Sequence, residues 1–371
     1  MNTYRSTADA SSALEAGERS LALARKLGLR EQLAFVANDL PYLYLNTGRA
    51  DSAREVLQEA RELWRELGNQ PMLADSLATS AFINAFAGDF DAAIAFSDEA
   101  LEISQSIHNL WGLSYSGYMI GEVFWERGDP ARAIEIMEMS VRYGRQAGFV
   151  AADIWTQAQL ALVYGRLGRA ERGLELARNA LAQSEKHMPI FRPFASSMLA
   201  RLHLLAGNLD DAAETLERCE AGDQSDLLNL FMSLTTGAQV RLALAKGDTE
   251  SAMKIADDSL ALLRQLGARQ YLPEAHYLCG QVWLAMGDMD AAQEALRDGL
   301  AEANALGSRW WQWQMLADLS QIEAERGNAA EADSLRGQAR EIVKYIADRT
   351  GSDELRESFL TLPDVRAVRG E

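Results

Sequence analysis

The chain has 371 residues, 48% hydrophobic and 24% charged, with 36 basic against 54 acidic side chains and a formal charge of −18. That balance is globular, and it argues against direct DNA or RNA binding, which needs clustered Lys and Arg to displace counterions from phosphates. No apolar run approaches the ~20 residues that span a bilayer, and the opening Met1-Asn2-Thr3-Tyr4-Arg5-Ser6 lacks the apolar core of a secretion signal, so no membrane partner and a cytoplasmic location are expected.

Taken in chain order, the first element is an apolar helix over about Ala10–Leu27. After it a period takes over. Gly48, Gly88, Gly128, Gly168, Gly207, Gly247, Gly287 and Gly327 stand 40 residues apart, with a single gap of 39. A fixed period of this size marks an array of stacked units, each packing on its neighbours.

Each glycine opens one phrase: Gly48-Arg-Ala-Asp-Ser-Ala53, Gly88-Asp-Phe-Asp-Ala-Ala93, Gly128-Asp-Pro-Ala-Arg-Ala133, and later Gly287-Asp-Met-Asp-Ala-Ala292. Glycine past a helix supplies the left-handed C-cap, and the acidic residues that follow suit the next helix start. The phrase reads as a tight turn between antiparallel helices of ~28 Å. An aliphatic column (Leu43, Ile83, Val123, Val163, Leu202, Leu242, Val282, Ile322) must be core, and a small column two positions earlier (Ala81, Gly121, Ala161, Ala200, Gly280, Ser320) lets helices approach closely. Pro41 and Val240 interrupt the small column, and looser packing is expected there. Many second helices end in another glycine, as at Gly28, Gly68 and Gly148, but the units at His108 and His187 lack it.

Catalytic or metal chemistry finds little support. The four histidines sit in no ligand spacing, and no His-Glu-x-x-His or Cys-x-x-Cys occurs. His203 reads as an interior histidine, while His276 lies one helical step from a predicted concave face. Cys219 and Cys279 read as small core hydrophobes. No enzyme activity, metal or cofactor is expected.

The phrase Gly121…Phe124…Gly128-Asp129…Ala133, repeated as Gly280…Trp283…Gly287-Asp288…Ala292, resembles the tetratricopeptide (TPR) repeat. The family's usual unit has 34 residues. The longer unit found here is similar to the helical sensor regions of large bacterial regulators, such as the maltose-responsive transcription activator and ATPase-coupled cyclases or kinases. The tail Asp353–Val368 resembles endings seen there. The resemblance implies an all-α, right-handed α-solenoid of about eight two-helix repeats over 1–350, with a capping helix near 352–361 in a 351–371 tail. No nucleotide-binding, cyclase or DNA-reading segment can be placed. The helix at Ala10–Leu27 corresponds to the second helix of a unit and lacks its partner, which points to a chain cut from something longer or completed by another helix.

The same resemblance implies a ligand-facing concave surface formed by the first helices. Its positions here include Asn38, Tyr42, Tyr115, Tyr118, Glu122, Trp155, Arg201, Arg241, Tyr277 and Gln281. Tyr115, Tyr118 and Trp155 fall on neighbouring units and suit apolar anchoring. Arg201 and Arg241 occupy one column a repeat apart, an anion clamp for carboxylate or phosphate unless each pairs with a nearby acid such as Glu214 or Glu250. In Trp310-Trp311-Gln312-Trp313 the three indoles cannot share one helix face. At least one is expected to be exposed or to touch a neighbour, giving either self-association or packing against Phe359, Leu360 and Leu362.

The resulting expectation is a non-catalytic module of a bacterial regulatory system. It holds a protein or peptide segment, with an acidic group at Arg201 and Arg241, in a largely preformed groove. The alternative is a small-molecule sensor domain of a larger ATPase-, kinase- or cyclase-type regulator.

Overall fold

The computed structural model describes residues 10–220 and 229–371, with side chains over 11–218 and 236–371. The side chain of Cys219 and the opening six residues therefore lie outside the described residues. Every described element is helical.

The helices alternate as two-helix units. The clearest are Gln70–Phe86 with Phe90–Ser106, Val150–Arg166 with Ala170–His187, Leu272–Met286 with Met289–Leu306, and Arg309–Glu325 with Ala329–Ala347. Ala10–Leu27 precedes the first unit, and Asp353–Leu360 and Pro363–Arg369 follow the last. The turn chemistry is local. Asp89, Asp129, Asp248 and Asp288 each accept the amide hydrogen bond of the residue three positions on, at 3.0–3.1 Å, satisfying a free donor of the incoming helix.

Among the described residues, two first helices are broken. One splits into Arg30–Asp39 and Pro41–Leu45, where Pro41 removes a backbone donor. The other splits into Leu110–Gly117 and Ile120–Glu126. His108 takes the turn position that glycine fills elsewhere, with φ +53°. At the other unit without a glycine, a 3-10 turn over Pro189–Phe191 makes the connection.

The array does not remain an open spring: it coils until its first turn touches its second. The backbone amide of Ala131 donates to the Arg349 carbonyl at 2.9 Å, and Arg309 donates to the Arg127 carbonyl at 3.1 Å. Arg169 pairs with Glu354 at 2.6 Å, and the Trp125 and Trp310 rings stand 4.2 Å apart. Glycine has a second role along this seam. Gly48 has φ +71°, and a Cβ there would overlap the Gln265 carbonyl oxygen. A Cβ on Gly168 would meet the backbone of Ser358.

All three tryptophans of the 310–313 segment are buried, so of the two expected alternatives packing against neighbours holds and exposure does not. Trp310 packs on Trp125, Trp313 and Phe359, and Trp311 packs on Tyr277. Closure of the coil supplies faces that a single helix lacks, so these indoles offer no surface for self-association.

Candidate functional site

Closure folds the concave face in on itself. Its N-terminal part is aromatic. The Tyr42 and Tyr115 hydroxyls hydrogen-bond each other, and Tyr115 also meets Thr79 at 3.0 Å. Tyr118 lies 6.0 Å from Tyr115 and 6.1 Å from Trp155, ring to ring. Trp155 stacks on Phe194 at 3.8 Å with planes 5° apart. Asn38 is buried and donates to Asp75 while accepting from Ser76. Burial raises the Asp75 carboxyl to about 6, against the Asn38 hydrogen bond.

Farther along, the face is charged. The expected arginine pair forms, but neither Glu214 nor Glu250 is its partner. Arg201 and Arg241 both grip Glu274, the latter at 2.8 Å. Arg166 approaches the same carboxylate at 3.9 Å, its guanidinium lying 5.1–5.9 Å from the Trp125, Trp310 and Trp311 rings. Burial alone would raise the Glu274 pKa, yet Arg201, Arg241 and Arg166 outweigh it and hold the carboxyl at about 2. Burial lowers Arg201 to about 9 despite Glu274. Three guanidinium groups therefore share one carboxylate.

Two further acids border this cluster. Glu122 accepts from Gln159 at 2.6 Å and from the Tyr271 hydroxyl at 3.3 Å. Glu126 accepts from Ser308 and, at 3.1 Å, from the Trp311 indole, joining residues 182 and 185 positions apart. Burial pushes Glu122 up to about 7 and Glu126 to about 8, with the Tyr271 and Ser308 hydrogen bonds opposing. Near neutrality Glu126 therefore favours its protonated form, while Glu122 is divided between its two forms. Between these groups lies a chamber of about 60 Å³, lined by Gln159, Arg166, Arg201, Gln270, Glu274 and Trp311 among others. The free space left among these side chains is small.

Tyr277 and Gln281 belong to a separate group. Tyr277 packs 5.4 Å from Trp311. Gln281 donates to Asp318, whose carboxyl burial raises to about 7. His203 is buried 3.5 Å from Asp211, and His276 lies 3.2 Å from an Arg264 nitrogen; burial lowers both pKa values. Cys279 is buried, and its thiol is pushed up to about 11, which fits a packing role. Among the described residues, no group of three or more His, Cys, Asp or Glu could hold a metal ion, and no helix is long and apolar enough to cross a membrane.

The unit length, turn phrase and stacked helix pairs agree with the comparisons. A family model described as the MalT-like TPR region matches residues 155–358, more than half of the sequence. The chain belongs to that family. A tetratricopeptide repeat model also matches residues 32–106. No curated protein matches. Among solved structures, the fold is similar to the Rap conjugation gene regulator of plasmid pLS20, solved with the Phr* peptide. That match has 12% identity and a TM-score of 0.60, covering 92% of this chain and 97% of that one. A Rap protein complexed with Competence and Sporulation Factor is also similar, at 16% identity and TM-score 0.52, covering 91% and 97%.

The family offsets missed several residues of the charged part. Glu126 and Arg166 stand two positions before their turn glycines, one helical turn beyond the Glu122 and Arg201 column. Gln270 stands one helical turn before Glu274, which shares the repeat position of Tyr115 and Trp155. Extending each inward stripe by four residues would have found all three.

Proposed function

We propose that this chain is a non-catalytic, cytoplasmic recognition module of a bacterial regulatory system. Its superhelix takes an acidic protein or peptide segment, whose anionic group replaces Glu274 at Arg201 and Arg241. The observation that carries the reading is the convergence of three guanidinium groups on one carboxylate. A planar guanidinium fork suits carboxylate or phosphate, and an internal carboxylate can yield its place to an external one. The likeness to a conjugation gene regulator solved with the Phr* peptide adds support. A small chamber rather than an open groove favours a second reading, a small-molecule sensor within a larger regulator.

Fluorescence anisotropy with labelled acidic peptides tests the first reading. Arg241→Gln should weaken binding at least about ten-fold, the order expected for losing one charge-assisted hydrogen bond. Binding in the unaltered protein should also weaken with added salt. Affinity indifferent to both would remove acidic-segment recognition.

A further inference from the structure

We propose that the central chamber is a site for one compact, protonated oxyanion of the phosphate class. This rests on reading the chamber as anion-seeking, and it names the ligand that fills the space left beside Glu274.

Three observations converge. The first is charge. Arg166, Arg201 and Arg241 share the Glu274 carboxylate, while Glu122 and Glu126 direct their oxygens to Gln159, Tyr271, Ser308 and Trp311. Buried cations without matching anions are costly, so a negative ligand lowers the energy of the closed form. The raised pKa values of Glu122 and Glu126 deepen that imbalance near neutral pH.

The second is size. A water needs ~10–15 Å³ of such space, so about 60 Å³ accommodates roughly four or five heavy atoms. A tetrahedral oxyanion fits, whereas a nucleotide or an extended peptide requires the coil to open.

The third is unmet hydrogen bonding. Gln270 is 2% exposed and lines the chamber, yet both its amide nitrogen and its amide oxygen lack a hydrogen-bond partner. The Gln159 amide oxygen, also on the chamber wall, is likewise unpartnered. Buried amides almost always find partners. The nitrogen seeks an anionic oxygen, and the two carbonyl oxygens seek a hydroxyl proton. Hydrogen phosphate carries both kinds of group. Sulfate at neutral pH has no proton to offer, and chloride leaves the amide oxygens unmet.

Calorimetric titration of the whole chain with inorganic phosphate, sulfate or chloride at matched ionic strength tests the assignment. Thermal melting at each concentration provides a second readout. Phosphate should bind saturably and at least about ten-fold more tightly than sulfate, the margin expected from one or two extra hydrogen bonds. Gln270→Leu, with circular dichroism confirming its helices, should lose that preference. Equal stabilisation by all three salts would mean screening only and would overturn the proposal, as would a phosphate preference that survives Gln270→Leu. Acidic peptides that bind while phosphate does not would overturn this inference and leave the segment-binding reading standing. Phosphate binding without peptide binding would do the reverse.

Discussion

The two ends of the inner face use the same repeat positions for opposite chemistry. Around Tyr42, Tyr115, Tyr118, Trp155 and Phe194 the face closes on rings at 3.8–6.1 Å. Around Arg166, Arg201, Arg241 and Glu274 it closes on ions. Apolar contact of the first kind stabilises without needing a partner. Buried ions must overcome desolvation, and a well-packed apolar cluster of equal volume is often as stable or more so. The difference teaches where to look for function. The aromatic part holds the coil together, while the ionic part keeps charged groups that packing alone does not require.

The sharpest challenge to that division is Trp155→Ala. It should cost about 4 kcal/mol in urea unfolding, as large-to-small changes of buried tryptophan do, and the loss should be the same at pH 5 and pH 8. Next comes Glu274→Gln, which leaves three guanidinium groups without their carboxylate and should cost about 3 kcal/mol. That loss should fade as the pH drops. The Glu274 carboxyl is held at about 2, so its contribution is present above the ordinary carboxylate value and disappears as pH falls toward 2.

A third variant sharpens the comparison by sign. Glu126 is raised to about 8, so its protonated form stabilises the fold fully below the ordinary carboxylate value. That contribution is lost as pH climbs through 8. Glu126→Gln retains groups able to meet Ser308 and Trp311, and it should flatten the decline in stability between pH 5 and 8. An unaltered slope would assign the pH dependence elsewhere.

Much of the fold was legible because its causes are local. A glycine every 40 residues, an acidic cap after it and a small column before it each act within one or two helical turns. Closure of the coil was not legible. Gly48 and Gly28 have left-handed φ angles of +71° and +68°, yet a Cβ on Gly48 would overlap Gln265 while one on Gly28 would meet nothing. The two reasons for glycine leave the same letter. The tryptophan segment could be read only as two alternatives for the same cause, since Phe359 and Trp125 reach it only once distant turns meet. Arg201 and Arg241 stood out as a column, but Glu274 lies 73 residues from Arg201. A partner chosen by sequence proximity was bound to be the wrong acid.

Closure of the first turn onto the second, and its opening by an acidic peptide, can be read as one distance. Spin labels at positions 169 and 354, whose native side chains pair at 2.6 Å across the seam, would be placed in a background lacking Cys219 and Cys279. Pulsed electron resonance should give one short, narrow distance in the free protein, lengthening when an acidic peptide binds. A long, broad distribution without ligand would contradict the closed coil on which the shared-carboxylate account stands.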